Sequence, residues 1–209
     1  MDIRFDDRVA IVTGAGNGLG RQHALGLAAR GARVVVNDLG QDGRPSPVAL
    51  EVVKEIEAAG GKAMADPADV SDEADVARMV AAVMDRWGRI DILVNNAGIL
   101  RDKTFAKMEL ADFRKVVDIH LMGSVNCTRA VWGIMRDQSY GRIVLTSSAS
   151  GIYGNFGQSN YGAAKAAMLG LMNVLHLEGA KSDIRVNTLA PTAATGMTEG
   201  LISPEDAAL

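Results

Sequence analysis

Six short apolar runs recur along the chain, separated by longer stretches with helical spacing, and this alternation limits the possible folds more than any other feature. The runs are RVAIVT (8–13), RVVVND (33–38), KAMADPADV (62–70), IDILVNNAG (90–98), RIVLTSS (142–148) and IRVNTLAP (184–191). They read as apolar throughout instead of alternating with polar residues, the pattern of strands covered on both faces. Between them, stretches such as ADVARMVAAVMDRWG (74–88) repeat apolar residues every three or four positions. Strand and helix in turn predict βαβ units, and so an α/β fold with a parallel sheet between helical layers. GQDGRPSP (40–47) is the most loop-like insertion, with no repeat, low-complexity tract or linker elsewhere.

At 209 residues and 48% hydrophobic content, the chain can bury one sizeable core, so a single domain over residues 1–209 is expected. A net charge of -3, with both signs scattered, leaves no basic stripe for nucleic acid. The charged N-terminus MDIRFDDRVAIVTG has no signal-peptide core, and no run of about eighteen apolar residues predicts a membrane span. Cys127 is the only cysteine; in NCTRAVW it reads as a small buried hydrophobe in a reducing compartment. His23, His120 and His176 stand far apart without companion cysteines, and no metal site is expected.

TGAGNGLG (13–20) follows the first run. The common dinucleotide spacing G-x-G-x-x-G fails, because its last position falls on Leu19 or Arg21. What fits is G-x-x-x-G-x-G through Gly14, Gly18 and Gly20. Glycines there permit a tight strand-to-helix turn, and the free N–H groups of a helix starting near Asn17, Gly18, Leu19 and Gly20 can bind a pyrophosphate. An ordinary tight turn would use the same residues, so the next acid matters. The second run ends at Asp38, 18 residues beyond Gly20, where a carboxylate hydrogen-bonds adenosine ribose hydroxyls and repels a 2′-phosphate. Alone, Asp38 is also an ordinary strand-end residue. No lysine or arginine stands inside the glycine turn or directly after Asp38, so nothing nearby neutralises that phosphate, and NAD is the expected cofactor. Asp69 and Val70, and the NNAG segment with Asn95, Ala97 and Gly98, also follow strands and open at the same sheet edge. Asp69 and Val70 are placed beside the adenine. Asn95 is either a cofactor contact or a structural amide tying strand backbones together.

SNYGAAKAAM (159–168) sets Tyr161 and Lys165 four apart, on one face of a helix. A free tyrosine, with a pKa near 10, is a poor base at neutral pH, but a nearby ammonium favours the phenolate. Ser148 ends the fifth run, where its hydroxyl faces the edge that carries the glycine turn; Ser147 would point the other way, and Ser150 is a further neighbour.

In this order, TGAGNGLG, NNAG and a serine followed by YGAAK resemble the signatures of the short-chain dehydrogenase/reductase family, over essentially the whole chain. The stretches VVVNDLG, GRIDILVNNAGILRDKTFAKM, GRIVLTSSASGIYGNFGQSNYGAAKA and RVNTLAPTAATGMT are similar to the (3R)-hydroxyacyl-CoA dehydrogenases of peroxisomal multifunctional enzymes and bacterial relatives. The resemblance implies a doubly wound, Rossmann-like sheet in the order 3-2-1-4-5-6. It also implies hydride transfer between NAD(H) and a secondary alcohol or ketone, an acyl-CoA for this branch. Tyr161 becomes the general base, Lys165 holds the nicotinamide ribose and lowers the tyrosine pKa, and Ser148 polarises the substrate oxygen. Alternatives are a steroid or other bulky alcohol as substrate, or a catalytically silent NAD-binding sensor.

Two departures stand out. DIHLMG puts His120 where the family has an asparagine, so His120 is read as a relay residue acting largely through its main-chain carbonyl. APTAATGMT puts Thr192 after Pro191 where a glycine is usual, in a loop still expected to border the nicotinamide. ISPEDAAL (202–209) reads as a helix start with Ser203 as N-cap and Pro204 next. Family domains continue into another helix and a seventh strand, so a C-terminally shortened domain is expected. The resemblance further implies a homodimer or higher homo-oligomer through the helices of 118–135 and 161–179. It implies a cytoplasmic location, or a peroxisomal one within a longer eukaryotic multifunctional chain.

Overall fold

The computed structural model describes residues 3–191. Six strands, β1 (Val9–Thr13), β2 (Arg33–Asn37), β3 (Lys62–Asp66), β4 (Ile92–Asn95), β5 (Gly141–Thr146) and β6 (Ile184–Leu189), form one parallel sheet in the order β3-β2-β1-β4-β5-β6. The expected order is therefore observed. It reverses direction between β1 and β4, which opens a crevice outside their carboxyl ends.

Seven α-helices connect or follow the strands: α1 (Gly18–Ala29), α2 (Pro47–Ala58), α3 (Glu73–Trp87), α4 (Leu110–Val117), α5 (Gly123–Asp137), α6 (Ala149–Tyr153) and α7 (Ser159–Gly179). Side chains of β1 divide between two cores because alternate residues face opposite ways. Val9 and Ile11 join Met79 and Val83 of α3 and Val131 and Met135 of α5. Ala10 and Val12 join Ala24 of α1 and Val52 and Ile56 of α2. Cys127 lies in the first core, where burial pushes its thiol up to about 12.

Local chemistry sets the element ends. β3 stops four residues short of the expected run, because Pro67 has no N–H for the ladder and the Asp66 carboxylate instead accepts from Ala68 N–H at 2.9 Å. Ser46 accepts from Ala49 N–H and Pro47 takes the first position of α2, so the loop of 40–47 ends as a built helix start. Asp72 accepts from Ala74 and Asp75 N–H to begin α3. A π-helical turn over Asp118–Met122 joins α4 to α5 and buries His120.

At the amino edge, the fully buried Asp91 accepts from Arg8, Arg89 and Val9 N–H at 2.7–2.9 Å, latching β1 to the start of β4. Ile184 and Val186 of β6 are buried while Arg185 and Asn187 are exposed. The expected helix start at Ser203 and the loop residue Thr192 lie outside the described residues. No helix among the described residues is long and apolar enough to cross a membrane.

Candidate active site

The turn after β1 is shaped as a cradle. Gly14 and Gly18 adopt positive φ, at 61° and 52°. A Cβ on Gly14 would stand 2.8 Å from the Ala97 Cα, and one on Gly20 would stand 2.1 Å from the Gly14 carbonyl oxygen. The first backbone bond of α1 runs from Arg21 N–H to the Asn17 carbonyl, and the Asn17 side chain makes no capping bond. The N–H groups of Gly18, Leu19 and Gly20 thus precede the hydrogen-bond ladder and suit a phosphate. No acid occupies that first turn to repel one.

A cleft of about 540 Å³ runs from this turn along the carboxyl edge, lined by Gly14, Asp38, Asp69, Val70, Ala97 and Gly98. Six expected residues therefore share one wall. Asp38 is anchored there: Gly16 N–H donates to Oδ2 at 2.9 Å and Ser46 donates to Oδ1 at 3.4 Å. Asp69 takes part through its backbone more than its carboxylate, since Oδ1 accepts from the N–H and hydroxyl of Ser71. A backbone cradle without Cβ atoms, free helix N–H groups and an anchored acid together fit a dinucleotide.

The opposite wall corrects one expectation. Helix α4 brings Arg114 and Lys115 to the same cleft as Asp38, so two cations do line it. They are 76 residues or more from Asp38 in sequence, and only the fold brings them close. Of the two readings of Asn95, the side chain fits the structural amide, with a partner other than the one expected. Its buried amide donates to Thr128 Oγ1 at 3.1 Å, turned toward α5 and away from the cleft. The neighbour Asn96 makes the tie expected of Asn95, donating to the Thr13 and Gly14 carbonyls while its N–H donates to Thr13 Oγ1 at 3.0 Å. Successive residues at a strand end face opposite ways, so a one-residue offset exchanges the roles.

Beyond Gly98 lie the reacting side chains. The His120 ring packs on Gly98 and meets the Tyr161 ring edge to face, centroids 5.2 Å apart, which places the phenol one side chain from the cleft wall. Ser148 caps α6 by accepting from Ser150 N–H at 3.2 Å, and its hydroxyl stands near enough to the Tyr161 phenol to lower its pKa. Ser147 faces away, as expected, and donates to the Lys165 carbonyl at 2.9 Å. Lys165 is buried with Nζ 5.5 Å from the Tyr161 ring centroid, donating to the Thr146 carbonyl at 2.6 Å. Pro191 is half-buried just past β6.

Electrostatics at this cluster depart from the sequence expectation. Burial pushes the Tyr161 phenol up, the Ser148 hydrogen bond pulls it down, and the charge of Asp102 raises it; the net direction is upward. Lys165 is not among these causes, because it loses its own charge at a pH below that at which the phenol ionises. Burial lowers Lys165 itself to about 8, so it is charged at neutral pH and loses that charge just above. Of the site residues, sequence reasoning missed Asp102 and Gln158. Gln158 donates to Asp102 Oδ2 at 2.8 Å, and Lys103 N–H donates to the Gly157 carbonyl at 2.9 Å. These bonds staple the loop after β4 to the start of α7, beside Tyr161. Asn160, fully buried, adds a third by donating to the Arg101 carbonyl at 3.0 Å. No local pattern marks such residues; only their polar character next to a helix start hints at them.

The family model for the short chain dehydrogenase matches residues 8–206. The chain belongs to the short-chain dehydrogenase family. It has the Rossmann-like sheet that the family carries. It is 53% identical over 208 residues to the peroxisomal multifunctional enzyme type 2 of Mus musculus, covering 98% of this chain and 28% of that protein. The chain thus spans under a third of that relative's length. Among solved structures, it matches a short chain dehydrogenase from Mycobacterium avium with a TM-score of 0.87 at 43% identity, over 92% of this chain and 70% of the other. It also matches a 7α-hydroxysteroid dehydrogenase complexed with NADH and 7-oxo glycochenodeoxycholic acid, with a TM-score of 0.88 at 33% identity, over 97% of this chain and 77% of the other.

Proposed function

We propose that the protein is an NAD-dependent dehydrogenase that oxidises the hydroxyl of a (3R)-hydroxyacyl-CoA and, in reverse, reduces the corresponding ketone. The observation that carries this reading is the convergence of Ser148, Tyr161 and Lys165 one side chain away from a dinucleotide-shaped cleft. When bound, the nicotinamide supplies the hydride acceptor. Gly14, Gly18, Leu19 and Gly20 hold the pyrophosphate through backbone N–H groups, and Asp38 takes the adenosine ribose. Ala97 and Gly98 offer a bare backbone surface on the way to the reacting centre.

Tyr161 accepts the hydroxyl proton of the substrate at its phenolic oxygen, and Ser148 holds the same substrate oxygen by a hydrogen bond. Before substrate binds, the Ser148 hydroxyl favours the phenolate; its single hydrogen then turns to the substrate oxygen, so it serves acidity and orientation in succession. The ammonium of Lys165 keeps donors beyond the one given to Thr146 for the nicotinamide ribose. The buried setting of these groups makes each hydrogen bond stronger than it would be in water.

Identity with the mouse peroxisomal enzyme supports the acyl-CoA branch over the steroid branch, at 53% against 33% for the hydroxysteroid dehydrogenase. Exposed Tyr153 and Phe156, on the segment joining Ser148 to Tyr161, offer apolar surface to an acyl chain. We place the enzyme in fatty acid metabolism, in the cytoplasm, or in a peroxisome as part of a longer chain. Helix α7 presents Ala163, Ala166, Gly170, Val174 and Leu177 outward at helical spacing, a face suited to a homodimer. Turnover of (3R)- and (3S)-3-hydroxyacyl-CoA and of hydroxysteroids, each with NAD and NADP, tests the reading. We expect the (3R)-thioester with NAD to give the highest kcat/KM; preference for a steroid, or for NADP, would overturn the corresponding part.

A further inference from the structure

Of the three histidines only His120 is buried, and its ring touches both sides of the site. On one side is the cleft wall. A Cβ on Gly98 would stand 2.1 Å from the imidazole Cε1, with Nδ1 and Nε2 at 2.8 and 2.9 Å. Gly98 is not among the glycines with positive φ, so its backbone accepts an alanine, and the three nearest atoms a methyl would meet all belong to the imidazole. The same ring reaches Ile99: Nε2 accepts from Ile99 N–H at 3.0 Å and lies 2.8 Å from the Ile99 carbonyl, so either neutral tautomer keeps a bond. On the other side is the Tyr161 ring, edge to face at 89°.

A ring that passes protons needs a partner on each nitrogen. Nδ1 of His120 is buried with no hydrogen-bond partner among the described residues, and both partners of Nε2 belong to Ile99. The main-chain carbonyl of His120 already accepts the Ser124 hydroxyl at 2.7 Å. Burial, and then the charge of Lys165, hold the imidazole down at about 3, so it stays neutral at any working pH.

We propose that His120 is a positioning residue: a neutral wedge that sets the separation between the Gly98–Ile99 turn, which lines the dinucleotide cleft, and the Tyr161 phenol. This rests on the dehydrogenase reading above and gives the imidazole a role separate from the relay expected of the His120 main-chain carbonyl. The wedge makes the lack of a side chain at residue 98 and the imidazole at residue 120 one joint feature of the site.

The test is a double-mutant cycle of Gly98→Ala and His120→Ala, read by fluorescence titration with NADH, by turnover of a (3R)-hydroxyacyl-CoA, and by thermal melting as a check on folding. Gly98→Ala alone is expected to weaken NADH binding by about tenfold or more, while the double variant recovers to within about threefold of His120→Ala, because the new methyl enters the space the ring has left. Losses that simply multiply would overturn the proposal. His120→Phe supplies an independent reading: it keeps a ring and removes both nitrogens. A wedge predicts more turnover than His120→Ala with the wild-type shape of the pH profile, whereas a relay predicts no gain over alanine and an altered profile. NADH binding does not depend on the substrate. A wild-type enzyme that binds NADH and ignores acyl-CoA would therefore count against the substrate reading while the binding cycle still decides the wedge.

Discussion

Burial raises the proton affinity of Tyr161, and two neighbours then pull it in opposite directions. The Ser148 hydrogen bond stabilises the phenolate and Asp102 destabilises it through its negative charge. Oxidation requires the phenol deprotonated, so its rate climbs as pH rises through the Tyr161 pKa. Ser148→Ala removes the lowering influence and should move that limb to higher pH, in addition to a loss of about 10²–10⁴ in kcat/KM from the missing substrate bond. Asp102→Asn removes the raising influence and should move the limb to lower pH. A profile of kcat/KM against pH for the three proteins checks both signs; shifts in the same direction would contradict the assignment. Asp38 makes a separate residue-scale prediction. Asp38→Ser should raise the NADP-to-NAD ratio of kcat/KM by about tenfold or more, because a repelling carboxylate is removed while Arg114 and Lys115 remain across the cleft.

At the scale of elements, the site depends on how β1 and β4 are held together at both ends. At the carboxyl end, Thr13 and Asn96 tie the glycine turn to the NNAG segment. At the amino end, Asp91 holds Arg8, Arg89 and the Val9 N–H. Burial pushes the Asp91 carboxyl up, but the bonds from Arg89, Val9 N–H and Arg8 outweigh it and hold the group below the usual carboxylate range. A carboxyl held low in the folded state adds stability above its unfolded pKa, and that contribution is lost as pH falls through the folded value. Asp91→Ala is expected to cost about 3 kcal/mol at pH 7, from a stranded backbone N–H and two unpaired guanidiniums. The gap between wild type and variant should narrow in urea melts at acid pH. An equal gap at both pH values would show that the latch acts through packing alone.

For the whole molecule, the parallel α/β sheet and the glycine cradle were legible in the residues because both follow from local periodicity and one turn, whereas the strand order came from the family resemblance. What was not legible depends on distant chain segments meeting. Arg114 and Lys115 reach the cleft that Asp38 lines only because α4 folds onto it, and Gln158 meets Asp102 across 56 residues. The aim of Lys165 at the Thr146 carbonyl, and the burial that raises Tyr161, required knowing how α7 sits on β5. The exchange of roles between Asn95 and Asn96 turned on a single residue of strand phase. Assembly is a prediction at this scale: Leu177→Glu, on the outer face of α7, should convert a dimer to a monomer in analytical ultracentrifugation and change monomer stability by less than about 0.5 kcal/mol. The central claim, that the Tyr161 phenol is the base beside a dinucleotide cleft, is tested most directly by Tyr161→Phe with NADH binding and single-turnover oxidation measured on the same sample. Unchanged NADH affinity with oxidation slowed by about 10³-fold or more is the predicted result. Oxidation within about threefold of wild type would contradict the account.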